Sequence, residues 1–106
     1  MDAKTLLKVR RKEILEVAAR NGAVNVRVFG SVARGDDRPD SDIDFLVNLE
    51  SGRSLLDLAR LLRELNTLLN HPVDVVTEAG LRPRIKPQVL KEARPLWETS
   101  ASVCWC

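Results

Sequence analysis

Residues 24–48 read VNVRVFGSVARGDDRPDSDIDFLVN, and the parsing of this stretch decides how the rest of the chain folds. Its first six residues alternate apolar and polar side chains, which predicts a strand with Val24, Val26 and Val28 on one side. Residues 41–48, SDIDFLVN, alternate the same way and predict a second strand with Ile43, Phe45 and Val47 facing the core. Between them, strand one ends in Phe29-Gly30-Ser31, Val32-Ala33-Arg34 can begin a short helical turn, and Gly35 and Pro39 return the chain. The alternation leaves Asp42 and Asp44 together on the face opposite the apolar side chains, about 7 Å apart. Two like charges at that distance repel by roughly 0.6 kcal/mol in water and about 2 kcal/mol at an effective dielectric near 20. The pair should therefore hurt the fold unless something neutralises it.

Working outward, Leu6, Leu7, Arg10, Ile14, Leu15, Val17 and Ala18 recur at helical spacing, and Asn21-Gly22 supplies a stop. Downstream, Ser54 with Asp57 three residues on reads as a capping box opening LLDLARLLRELNTLLN, which His71-Pro72 ends. VDVVT at 73–77 is a third strand, and the helix between strands two and three permits a parallel crossover. Prolines 83 and 87 suit a turn followed by a short helix, and RPLW at 94–97 an edge strand. The expected fold class is α/β (α+β): a small mixed sheet with helices packed on one face, forming one domain over residues 1–98. Residues 99–106 lack a useful period and are expected to be a flexible tail.

Size and composition agree with a single domain: 106 residues, 44% apolar, hold one modest core and no second folding unit. With 17 basic and 15 acidic side chains the net charge is only +2, which does not indicate a nucleic-acid or membrane binder. No apolar run reaches the roughly 20 residues a bilayer requires, and the first twenty residues mix charges among apolar positions, unlike a signal peptide. The expected location is cytoplasmic. Cys104 and Cys106, both in the last three residues, read as two thiols in a frayed tail.

A cation between Asp42 and Asp44 would turn their repulsion into attraction. Carboxylates without Cys or a nearby His favour a hard ion such as Mg²⁺, whose shell is completed by water and substrate phosphates. Asp74, out of phase with Val73 and Val75, offers a third carboxylate from the neighbouring strand. Gly30 lets the backbone approach a phosphate, Ser31 adds a hydroxyl at a helix start, and Arg34 can pair with a phosphate or an acid. A Gly-Ser turn or a strand-opening Asp-x-Asp is by itself commonplace. The order strand, Gly-Ser turn, Asp-x-Asp strand, helix, Asp strand is not, and it points to a metal and phosphate site.

Gly30-Ser31, then Ser41-Asp42-x-Asp44, then Asp74 within an apolar strand, together with the GSxARG form at residues 30–35, closely resembles the nucleotidyltransferase superfamily related to DNA polymerase beta. More narrowly it resembles the minimal nucleotidyltransferases, over about residues 5–97. The resemblance implies the nucleotidyltransferase fold and an antitoxin that transfers AMP from ATP to a hydroxyl, typically of tyrosine, on a HEPN-domain RNase toxin. It implies that Asp42 and Asp44 hold Mg²⁺ against the nucleotide phosphates, that Gly30 and Ser31 bind the terminal phosphates, and that Asp74 coordinates the catalytic metal and helps deprotonate the acceptor. Two ions are expected, with ATP as substrate and pyrophosphate as leaving group.

So small a core hardly holds a closed base pocket and an acceptor pocket as well, so a protein partner and a hetero-oligomer are expected. His71, the single histidine, is expected to be structural, and with no arginine at positions 64–67 it does not form the toxin's Arg–His signature. The alternatives are an aminoglycoside-type small-molecule transferase, against which the lack of a second domain counts, and a non-catalytic antitoxin that neutralises by binding. Direct nucleic-acid binding through Arg10-Arg11-Lys12 or Arg82, Arg84 and Lys86 is not expected, since solvated faces explain those charges more simply.

Overall fold

The computed structural model describes residues 3–35 and 41–95. The tail expected at 99–106, Leu96 and Trp97 of the edge strand, and Pro39 lie outside the described residues. The chain runs α1 (Ala3–Arg20), β1 (Ala23–Phe29), α2 (Gly30–Arg34), β2 (Ile43–Leu49), α3 (Leu55–Leu69), β3 (Val73–Thr77), α4 (Lys86–Glu92) and β4 (Arg94–Pro95). The strands form one mixed sheet in the order β3-β2-β1-β4, with β2 and β3 parallel and the other pairs antiparallel. Among the described residues no helix is long and apolar enough to cross a membrane.

The core is assembled from three apolar stripes. In α1 the buried side chains are Ala3, Leu7, Ile14, Val17 and Ala18, spaced to share one helix face. Arg10, read from the sequence as part of that stripe, instead lies on the solvent side and pairs with Glu13 at 2.9 Å. In α3 the stripe is Leu61, Leu65 and Leu69, which shares one buried cluster with Ile43, Phe45 and Val47 of β2, the three β2 residues each at most 1% exposed. Asn21 does more than stop α1: its buried amide donates to the Val17 carbonyl at 2.9 Å and to Glu64 Oε1 at 2.8 Å, fastening α1 to α3.

The α3 N-terminus is capped as expected. Leu56 N–H donates to Ser54 Oγ at 3.3 Å, and Ser54 N–H donates to Asp57 Oδ2 at 3.0 Å. Its other end is set one residue earlier than the proline suggests, by Asn70 in the left-handed region at φ 47°. His71 Nδ1 donates to the Pro72 carbonyl at 2.9 Å, a contact that serves the turn.

The first strand corrects the sequence reading. Val24 is 45% exposed and does not share the core side with Val26 and Val28. Asn25 adopts φ 57°, and the register slips so that three steps along β1 oppose two along β2. This bulge inverts the alternation, which places Ala23, Val26 and Val28 inward and sends Val24 out.

Candidate active site

Parallel pairing brings the acidic residues to one end of the sheet. β2 and β3 both begin there, and Asp44 and Asp74, the second residue of each, are register partners. Phe29, the last residue of β1, is the partner of Asp44 on its other side, so the row across the sheet reads Phe29, Asp44, Asp74. Asp42 stands two residues ahead of Asp44, just before β2 begins. Asp42 and Asp74 are exposed, whereas Asp44 is half-buried.

α2 starts directly from Phe29, and Gly30 enters it at φ +78°, a conformation that L side chains rarely adopt. A Cβ on Gly30 would collide with Asp44 Oδ2. The glycine thus does two things: it turns the chain, and it leaves room for the carboxylate beside the first turn of α2. Ser31 follows it, half-buried, and Gly35 closes the helix in the left-handed region.

Asp44 carries the electrostatic signature of the site. Burial first, then the neighbouring Asp74 and Asp42, push its carboxyl from the ordinary 3.8 to about 6, with Arg34 acting in the opposite direction. The repulsion inferred from the Asp-x-Asp spacing is thus present, and Asp74 is the larger of its two sources. Arg34 itself is held from outside the site: its Nη1 donates to Glu92 Oε2 of α4 at 3.1 Å.

Beyond the site, on the same side of β2 as Asp44, lie Leu46 and Asn48. Leu46 is fully buried, and Arg27, only 9% exposed, is its register partner on β1. Arg27 Nη2 donates to Asn48 Oδ1 at 2.8 Å and to Glu78 Oε2 at 3.1 Å, while its Nε donates to the Asn25 carbonyl at 3.1 Å. Hydrogen bonds from Asn48 and then Arg27 hold the Glu78 carboxyl below its usual range. This polar network was not legible in the sequence, because residues on the outward phase of a strand read as solvated. Glu92 was missed for a similar reason: nothing in the period of a short helix says which distant arginine its acid will meet.

Among the described residues no group of three His, Cys, Asp or Glu side chains forms a ready metal cage. The donor chemistry nevertheless fits a hard divalent ion. All the candidate ligands are carboxylate oxygens, and burial together with repulsion from its two neighbours raises the proton affinity of the central one, a burden that a cation would relieve. Asp42, Asp44 and Asp74 are the residues that would hold it.

Residues 11–96 match the family described as nucleotidyltransferase domain. The protein adenylyltransferase MntA of Thermococcus cleftensis is 37% identical over 91 residues, which cover 86% of this chain and 89% of that protein. A solved structure provisionally assigned as a minimal nucleotidyltransferase superposes with a TM-score of 0.81 at 57% identity, covering 90% of this chain and 96% of that one. The complex of tri-AMPylated Shewanella oneidensis HEPN toxin with MNT antitoxin contains the same fold, with a TM-score of 0.66 at 21% identity over 88% of this chain and 73% of that one.

Proposed function

The chain belongs to the nucleotidyltransferase domain family, and from that premise we propose that it acts as an antitoxin by transferring AMP from ATP to a hydroxyl, that of a tyrosine, on a partner HEPN RNase toxin. One observation carries the reading: Asp44 and Asp74 stand in register on adjacent parallel strands, with Gly30 giving room to the Asp44 carboxylate at the first turn of α2. Support for a protein acceptor comes from the relative named a protein adenylyltransferase, and support for the partner from the AMPylated toxin complex that shares the fold.

In this reading Gly30 and Ser31 receive the terminal phosphates of ATP and Arg34 adds a guanidinium to them. Asp42 and Asp44 would hold Mg²⁺ against those phosphates from the strand side. Mg²⁺ held by the three aspartates would supply charge neutralisation of the phosphates and of the leaving oxygen. Asp74 lies across the row from Asp44, where it can orient the acceptor hydroxyl and take its proton. A bond forms from that oxygen to the α-phosphorus, the bond from the α-phosphorus to the bridging oxygen breaks, and pyrophosphate leaves.

The test is transfer of label from α-labelled ATP to the purified partner toxin in the presence of Mg²⁺. Label appearing on the toxin with the wild type and not with Asp44→Asn supports the reading. Unlabelled toxin that is nonetheless neutralised would instead establish inhibition by binding alone.

A further inference from the structure

We propose that Glu92 of α4, itself held by Gln88, is a positioning residue that sets the Arg34 guanidinium beside the nucleotide phosphates. The inference rests on the nucleotide reading of the Gly30–Arg34 helix given above.

Three side chains form a line from α4 to α2. Gln88 Nε2 donates to Glu92 Oε1 at 2.8 Å, and Arg34 Nη1 donates to Glu92 Oε2 at 3.1 Å. Both carboxylate oxygens of Glu92 are thereby engaged, one by the amide and one by the guanidinium. Burial is uneven along the line: the Glu92 side chain is 17% exposed, while that of Arg34 is 47% exposed. The anchor is thus fixed in the protein while the cation it holds reaches toward solvent, the arrangement expected of a group that must meet an incoming anion. A guanidinium carries five N–H donors in a planar fork, so the Glu92 contact through Nη1 takes up one corner of it.

The line also has a backing. α4 is short, but Val89 on its inner side is 7% exposed and Ala93 N–H closes onto the Val89 carbonyl at 2.9 Å, which anchors the turn that carries Glu92. Arg34 already acts on the site, since its charge lowers the proton affinity of Asp44. A long arginine without such an anchor would sample many rotamers and lose that freedom on binding a phosphate. An arginine fixed beforehand loses less.

Calorimetric titration of wild type, Glu92→Gln, Arg34→Ala and the double variant with Mg²⁺ and a non-hydrolysable ATP analogue tests this, alongside steady-state transfer to the partner toxin. Glu92→Gln is expected to weaken binding and raise KM for ATP roughly three- to tenfold with kcat little changed, and the double variant should bind no worse than Arg34→Ala. Gln88→Ala, which leaves the ion pair but removes its support, should show a smaller loss in the same direction. Unchanged affinity in Glu92→Gln, or losses that add in the double variant, would overturn the inference. A fall in kcat and melting temperature with affinity retained would also overturn it, because that is the mark of a merely structural contact. If wild type fails to bind the nucleotide, the reading beneath falls and takes this inference with it.

Discussion

Replacing Asp44 by Asn should make the metal-free protein more stable while abolishing transfer. Burial, Asp74 and Asp42 push the Asp44 carboxyl up to about 6 from 3.8. At about 1.4 kcal/mol per pH unit, the ionised group costs at most roughly 3 kcal/mol above pH 6. The side chain is only half-buried, so solvent screening reduces this to about 1 kcal/mol, which the neutral amide would recover. In a domain of this size that corresponds to a melting temperature higher by about 4–8 °C. The sign follows from linkage. The folded-state value lies above the unfolded one, so the penalty is absent below about pH 4, grows as pH rises, and is complete above about pH 6. Thermal melts in chelator at pH 7.5 should therefore favour Asp44→Asn, and the gap should close near pH 4. Added Mg²⁺ should raise the wild-type melting temperature and leave the variant unmoved. A variant that melts below wild type at pH 7.5 in chelator would mean that Asp44 supports the fold, and the charge-repulsion account of the site would be wrong.

Asp74→Asn should depress turnover by at least about a hundredfold while ATP affinity changes little, because its proposed task is at the attacking hydroxyl; single-turnover rates and calorimetry separate the two. Ser31→Ala should show the reverse pattern, a several-fold weaker nucleotide affinity read by the same calorimetry. Gly30→Ala should cost about 1–3 kcal/mol and eliminate transfer, since its backbone sits at φ +78° and its Cβ would meet the Asp44 carboxylate; chemical denaturation and the labelling assay check both halves. Asn21→Leu should destabilise by about 1–3 kcal/mol without altering nucleotide affinity, because it leaves Glu64 without the buried amide that joins α1 to α3; denaturant midpoints would show it.

Local signals in the chain determined much of this protein. Period-two alternation named β2, a capping box at Ser54 and Asp57 opened α3, and an apolar run broken by one acid named β3, because side-chain direction in a strand or helix follows from backbone geometry alone. The family resemblance read at residues 30–35, 41–44 and 74 is met by the match over residues 11–96. What the sequence could not state was anything set by a choice of partner. The bulge at Asn25 reversed the phase of Val24, because the register of β1 is fixed by pairing with β2 and not by its own alternation. Leu46 and Arg27 proved buried on the outer side of the sheet, and the side chains that hold Arg27, those of Asn48 and Glu78, lie 21 and 51 residues along the chain from it. Parallel pairing alone made Asp74 the register partner of Asp44, thirty residues away, and set it beside Asp42 among the charges that raise the Asp44 carboxyl. Docking of α4 on α2 gave Arg34 to Glu92, fifty-eight residues on. Within an element that runs without a bulge, spacing along the chain carries which side a residue faces, whereas which charge it faces is decided only when the whole fold closes.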